Sequence, residues 1–248
     1  MTLYAWPTAA AFGRVVPKSK IYEHAETGTA LKDLFVREVD QIVWTHKLAP
    51  ETINLAATKA VSEIQVIRLD QRVPVMNREV LRAIDRAIPY PLLFELAHEN
   101  RIQLVAAHKR PSEANAARWV IGDYYESAWL PKDAVRVPLP LALNMAGLYE
   151  QLLSPLVEDH TARLVPGLGE MGQAAFAGTP EATPLKLADQ LALAEAVRAK
   201  TREIERIAAR LKREPQYNKR VAINAELRDA KQELMRLTAG VSVAARDE

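Results

Sequence analysis

The sequence predicts an α+β fold, with a mainly antiparallel sheet and packed helices, followed by a C-terminal antiparallel coiled-coil helical hairpin. Three shifts in composition lead there. All four tryptophans and six of the seven tyrosines lie in residues 1–156, where apolar and charged residues are mixed. Residues 157–184, ending GLGEMGQAAFAGTPEATP, turn to Gly, Ala, Pro and Thr with few charges, the composition of a linker. Residues 185–238 are dominated by Ala, Leu, Arg, Glu and Lys, with no glycine and one proline, the composition of long helices. The expected organisation is an α+β domain at 1–156, a linker at 157–184, a helical hairpin at 185–238 and a tail at 239–248.

The elements of the first domain follow in order. TALKDLFVREVDQI sets Leu31, Leu34, Phe35 and Val39 on one helical face. IVWTHKLA and TINLA, broken by Pro50, read as short strands, and EIQVIRLDQRV reads as a longer one. NREVLRAIDRAI starts at an Asn77 N-cap with Glu79 in its first turn. Val80, Leu81, Ile84 and Ile88 form its apolar stripe, and Pro89 and Pro91 stop it. In PLLFELAHENRIQLVAAHKR two apolar runs flank His98-Glu99-Asn100-Arg101, a hairpin signal. WVIGDYYESAWLP is an aromatic-rich strand, or a strand pair bent at Gly122-Asp123, and LALNMAGLYEQLLSPL closes the domain as a helix ending at Pro155. Consecutive antiparallel strands with helices on one face are the economical arrangement. Strands that do not alternate with helices argue against a parallel doubly wound sheet.

The hairpin is read from heptads. Leu187, Gln190, Ala194, Val197, Thr201, Ile204, Ala208 and Leu211 recur in steps of three and four, as do Ile223, Leu227, Ala230, Leu234 and Leu237. Pro215 breaks the chain between the two seams, and so short a loop makes the helices antiparallel neighbours. Two helices alone bury little surface, so an exposed second face is expected to find a partner, with the seam residues assigned to that interface.

Composition excludes several chemistries. At 248 residues, with 49% apolar and 26% charged, the chain has the make-up of a soluble protein with a real core. It has no cysteine, so disulfides, Cys-ligated zinc and thiol catalysis are all removed, which fits a reducing cytoplasm. The start, MTLYAWPTAAAFGRVVPKSK, lacks the pattern of a signal peptide. No stretch approaches the roughly 18 uncharged apolar residues of a membrane span. A cytoplasmic protein without membrane contact is expected.

No complete catalytic set is visible. The five histidines are scattered, with only His98 and His108 able to approach across a hairpin. A metal-dependent nuclease would need convergent carboxylates and a supporting lysine. Glu38, Asp70, Glu95 and Lys109 are the candidates, but none stands in an acid-x-lysine arrangement, so they define only a degenerate nuclease. GLGEMG at 167–172 has the glycines of a nucleotide loop without the strand and helix around it. No catalytic residue, metal or cofactor is assigned. Charge is more telling. Residues 1–156 carry 18 Lys and Arg against 17 Asp and Glu, whereas residues 185–238 carry 13 against 8. At the hairpin tip Arg206, Arg210, Lys212, Arg213, Lys219 and Arg220 face only Glu205 and Glu214, with Tyr217 among them. Such a cluster suits phosphates, and the tyrosine suits a base. Lys18 and Lys20 in PKSK form a smaller basic spot.

PKSKIYE, WTHKLAPETINL, EIQVIRL, DRAIPYPLLFEL through AAHKR, and REPQYNKRVAINAELRDAKQEL together resemble the bacterial and archaeal domain-of-unknown-function family four-three-nine-one. The matching pieces span most of residues 17–238, and the 157–184 stretch is peculiar to this chain. Members of that family are typically encoded beside helicases and DNA methyltransferases in restriction-like anti-phage clusters. The resemblance therefore implies a defence context and a helicase or methyltransferase as partner. The expected function is a non-enzymatic accessory subunit whose α+β domain is a docking module and whose helical hairpin clasps one of these, or a second copy of itself. A nucleic-acid-binding protein using the hairpin tip is the alternative, and a degenerate metal-dependent nuclease the third reading.

Overall fold

The computed structural model describes residues 3–24, 28–112, 114, 118–165 and 185–244. The expected linker motif GLGEMG lies outside the described residues. The chain divides into two compact units, Met1–Leu156 and Val157–Glu248.

In the first unit the order is β1 (Leu3–Tyr4), a 3-10 turn (Thr8–Ala10), β2 (Ala11–Val15), α1 (Lys18–His24), α2 (Thr29–Glu38), β3 (Val39–Leu48) and α3 (Pro50–Ile53). There follow β4 (Ile64–Gln71), α4 (Arg78–Ala87), β5 (Leu92–His98), β6 (Arg101–Pro111), β7 (Trp119–Glu126), β8 (Leu130–Pro131), β9 (Arg136–Val137) and the start of α5 (Met145–Leu164). The strands form a mixed, mostly antiparallel sheet in the order β2-β3-β4-β5-β6-β7, with β8 also on β6, while β1 and β9 form a separate parallel pair. The fold is α+β, as the sequence implies.

One pair corrects the expectation of antiparallel strands throughout. β4 and β5 run parallel, with Val66 beside Leu93 and Leu69 beside Leu96. The cause is α4, which lies between them in sequence. A crossover helix returns the chain to the same end of the sheet, where a tight hairpin would reverse it. The Asn77 side chain accepts from the Glu79 amide at 2.9 Å and starts this helix as its N-cap. The β5–β6 hairpin turns at Glu99-Asn100, where Glu99 takes a φ of 50°.

Two local readings change, and one left open is decided. TINLA is not a strand. Pro50 occupies the first position of the one-turn α3, where its fixed φ suits a helix start, and Asn54 ends the turn with a φ of 52°. Thr52 Oγ1 accepts from the Ala49 amide and donates to the Lys47 carbonyl. Pro155 does not end α5, which continues to Leu164. Pro155 and Gln151 are both exposed, so the carbonyl that a proline leaves unpaired four residues back faces water. Finally, β7 is one strand through Gly122. β6 slips register between Ala107 and Lys109 opposite it, and a Cβ on Gly122 would sit 3.2 Å from the His108 carbonyl. The glycine admits a bulge rather than making a bend.

Alternation along the strands sends Ile67 and Leu69, then Leu92, Phe94 and Leu96, then Val105 and Ala107 into one core. There they meet Val80, Leu81 and Ile84 of α4, Phe35 of α2 and Ile21 of α1. Each fully buried aliphatic or aromatic side chain contributes about 1.5–3 kcal/mol to the fold.

The second unit contains the last turns of α5, α6 (Leu187–Arg213) and α7 (Tyr217–Ala244), the two long helices joined at Glu214–Gln216. With 27 and 28 residues they extend about 40 Å each at 1.5 Å per residue. They pack on each other. Lys200 pairs with Glu233 and Arg210 with Glu226, so higher numbers on one helix meet lower numbers on the other. This is the antiparallel arrangement expected at Pro215.

Candidate interaction surface

The predicted partner-interface residues are largely spent inside the hairpin. Val197 and Leu234 pack with Val165, flanked by Leu193 and Ile204. Nearer the tip, Ile207, Ile223 and Ala230 are buried together, with Leu211 and Leu227 partly buried beside them. Ala194 is buried too, and Leu187, Ala208 and Leu237 are half-buried. The expectation that this seam serves a partner is corrected accordingly: α6 and α7 serve each other. The sequence reading also chose Ala208 where the helix buries Ile207. From Ile204 the pattern reaches Leu211 by steps of four and three or of three and four, and the bulkier side chain takes the seam. Beyond the seam, α7 leaves Val221 and Met235 more than half exposed.

The tip is a different surface. Lys212 and Arg213 end α6, Tyr217, Lys219 and Arg220 open α7, and all five are exposed. Arg210 is paired with Glu226, whereas among the described residues no ion pair joins Arg206, Lys212, Arg213, Lys219 or Arg220 to a carboxylate. The carboxylate of Glu214 accepts from the Gln216 amide at 2.9 Å and shapes the turn. Sequence reasoning missed Arg202, which is exposed one turn before Arg206 and extends the basic face along α6.

The second basic spot is divided between a structural lysine and an exposed one. Lys18 Nζ donates to the carbonyls of Phe35 at 3.2 Å and Val39 at 2.5 Å, so it closes the C-terminus of α2. Burial, and secondarily the charge of Arg72, hold its ammonium below the usual lysine range. Lys20 remains exposed and pairs with Glu23. Lys18→Met is expected to lower stability by about 1–3 kcal/mol, as loss of charge-assisted hydrogen bonds does. Urea denaturation measures this, and binding of nucleic acid at low salt should be unchanged.

The nuclease candidates do not converge. Glu38 is buried and accepts from the Asn77 amide at 2.7 Å, fastening the start of α4 to the end of α2. Asp70 pairs with Arg68 on its own strand. Glu95 accepts from Trp6 Nε1 at 2.8 Å and Arg136 at 2.7 Å, pointing away from the core that receives Phe94 and Leu96. Lys109 points the other way, toward α4. Among the described residues no three His, Cys, Asp or Glu side chains are grouped to hold a metal ion. His98 lies at the β5–β6 turn, while His108 lies toward the far end of β6 and stacks on Tyr149. The two do not form a pair.

Lys109 belongs instead to a buried network that sequence reasoning did not assemble. Its Nζ donates to the Asp85 and Ile88 carbonyls, both at 2.5 Å, and lies 3.4 Å from Asp85 Oδ1. Tyr124 donates to the other Asp85 oxygen at 2.5 Å, and Tyr149 links the Lys109 amide to the Ala107 carbonyl. Burial raises the Asp85 carboxyl, with Lys109 and Tyr124 opposing it, and burial lowers the Lys109 ammonium. The same desolvation raises both tyrosine hydroxyls. The cluster ties the last turn of α4 to β6 and β7. A second, half-buried set has His46 beside Trp6, its imidazole held low by burial against the opposing charge of Glu95.

Among the described residues no helix is long and apolar enough to cross a membrane. No curated protein and no solved structure matches the chain. A family model described as "Domain of unknown function (DUF4391)" matches residues 5–234, nearly the whole sequence, and its span takes in the sheet, α6 and most of α7. The chain belongs to that family.

Proposed function

We propose that this protein is a non-enzymatic accessory subunit of a DNA-targeting, restriction-like anti-phage complex, acting in the cytoplasm. The sheet unit serves as a docking module for a helicase or DNA methyltransferase of the same gene cluster, and the hairpin is a coiled-coil arm. The observation that supports this reading is the fate of the catalytic candidates. Glu38, Glu95 and Lys109 are each held in bonds that fasten one element to another, and Asp70 is paired to its strand neighbour. What the chain offers to the outside is an arm with its seam closed and its tip and outer faces open. The family resemblance supplies the partner class.

Co-expression with the helicase and methyltransferase encoded alongside tests this. A complex stable through size-exclusion chromatography is expected. Val221→Asp with Met235→Asp, which leaves the seam intact, is expected to weaken that complex through the outer face of the arm. A monomer that binds neither protein contradicts the reading, and a homodimer alone would replace docking with self-association.

A further inference from the structure

We propose that the hairpin tip is a nucleic-acid-binding element that takes a single-stranded phosphodiester chain, its backbone on the cations and one unpaired base on Tyr217. The proposal names the polymer handled by the accessory subunit described above, and so rests on that reading for its biological setting. Its physical basis is separate.

Charge is concentrated without neutralisation. Arg206, Lys212, Arg213, Lys219 and Arg220 have no ion-pair partner among the described residues, and the nearby Glu214 is occupied by the turn it shapes. The cations come from two helices and meet at one end because only three residues, Glu214–Gln216, separate α6 from α7. Arg202, Arg206 and Arg213 stand at spacings of four and seven, which share one face of α6 and continue the basic track away from the tip.

The placement also opposes local stability. The first turn of α7 contains Lys219 and Arg220 and no acidic residue, although the positive end of the helix dipole favours carboxylates there. A sequence that breaks a local rule without structural return is where a functional or strained site is expected. An anion resting on this turn resolves the conflict, because it meets both the side-chain charges and the dipole.

Tyr217 selects among anions. It is the first residue of α7 and is 79% exposed, a large ring with no packing role. Base stacking gives such a ring a flat partner beside a phosphate track. A duplex keeps its bases stacked on each other, so an unpaired base is what the ring receives. An acidic protein segment would satisfy the cations and leave the ring in water.

The test is fluorescence anisotropy of the full-length chain with a labelled single-stranded DNA oligonucleotide and with the duplex of the same sequence, over a range of salt. The single strand is expected to bind more tightly. Its log affinity is expected to fall with log salt at a slope of about −2.8 to −3.5, the value for four or five neutralised phosphates on a single strand. Arg213→Glu with Lys219→Glu is expected to weaken binding by about tenfold or more and to flatten that slope. Tyr217→Ala is expected to weaken single-strand binding by about five- to a hundredfold, the range for loss of one base stack, while the slope stays the same. All three residues are exposed, and unchanged helical circular dichroism shows that the variants remain folded. Affinity unaffected by the charge reversals overturns the assignment to the tip. Equal binding of single strand and duplex, with Tyr217→Ala silent, overturns the stacking role. Absence of any nucleic acid binding, with the helicase or methyltransferase complex intact, overturns this inference and leaves the accessory role standing. Nucleic acid binding without any protein complex does the reverse.

Discussion

Lys109→Met is expected to lower the free energy of unfolding by about 3–5 kcal/mol, the cost of removing one partner from a buried ion pair. Lys109 is 1% exposed, and its ammonium donates to the Asp85 and Ile88 carbonyls besides facing the Asp85 carboxylate. Methionine fills similar volume but leaves the Asp85 carbonyl and a buried carboxylate short of a donor, while the Ile88 carbonyl keeps the Tyr90 amide. Only the Tyr124 hydroxyl would still serve Asp85. The loss should appear as a lower urea midpoint with an unchanged slope, since the surface exposed on unfolding is the same. Asp85→Asn added to Lys109→Met is expected to recover part of the loss, because the amide removes the unpaired charge and still accepts from Tyr124.

The variant should also change its response to pH. Burial already raises the Asp85 carboxyl above its unfolded value, and removal of Lys109 raises it further. A folded pKa above the unfolded one means that the native state binds the proton more tightly. That contribution is complete below the unfolded pKa, near 4, and is lost as pH rises through the folded value. Lys109→Met is therefore expected to sit closest to wild type in acid and to fall behind as pH increases. A deficit that grew on acidification would mean that Asp85 is not the group left unpaired.

Leu234→Asp is expected to open the hairpin. Leu234 is 4% exposed and packs with Val197 and Val165 in the middle of the α6–α7 seam. The substitution removes a buried aliphatic side chain and places a carboxylate where the neighbours are apolar, a combined cost of roughly 3–5 kcal/mol. Helices that rest on mutual packing lose most of their stability with it, since isolated helices are marginal in water. Far-ultraviolet ellipticity reports the two long helices, while all four tryptophans lie within residues 1–156. Ellipticity is expected to fall at lower denaturant than tryptophan emission changes. An unperturbed ellipticity curve would show that the seam is not what holds α6 and α7 together.

Sequence made the short-range features readable. The Asn77 cap, the β5–β6 turn and the break at Pro215 are each set by residues within one turn of the feature. Alternation and heptads follow from which face is buried, so the core strands and both arms of the hairpin were visible as patterns. What escaped depends on residues far apart in the chain. Lys109 meets Asp85 across 24 residues and Trp6 meets Glu95 across 89, and no local signal tells either residue where its partner lies. The four nuclease candidates looked interchangeable on strand and helix ends until their partners were known. Lys18 likewise looked like part of a basic spot, because a capping lysine and a solvent-facing one share the same sequence context. The parallel β4–β5 pair was within reach: a well-capped helix between two strong strands is itself the sign of a crossover. The tip charges remained legible throughout, since exposed side chains at a turn owe nothing to distant partners.

The most direct test of a non-catalytic docking subunit is the mass, by light scattering, of the species that the tagged chain draws from cells expressing its whole gene cluster. The expected result is a defined complex containing the helicase or methyltransferase. That complex should survive Arg213→Glu with Lys219→Glu, because the tip is assigned to nucleic acid and docking is left to other surfaces. A species with the mass of the chain alone, together with metal-dependent cleavage of DNA by the purified protein, would contradict it.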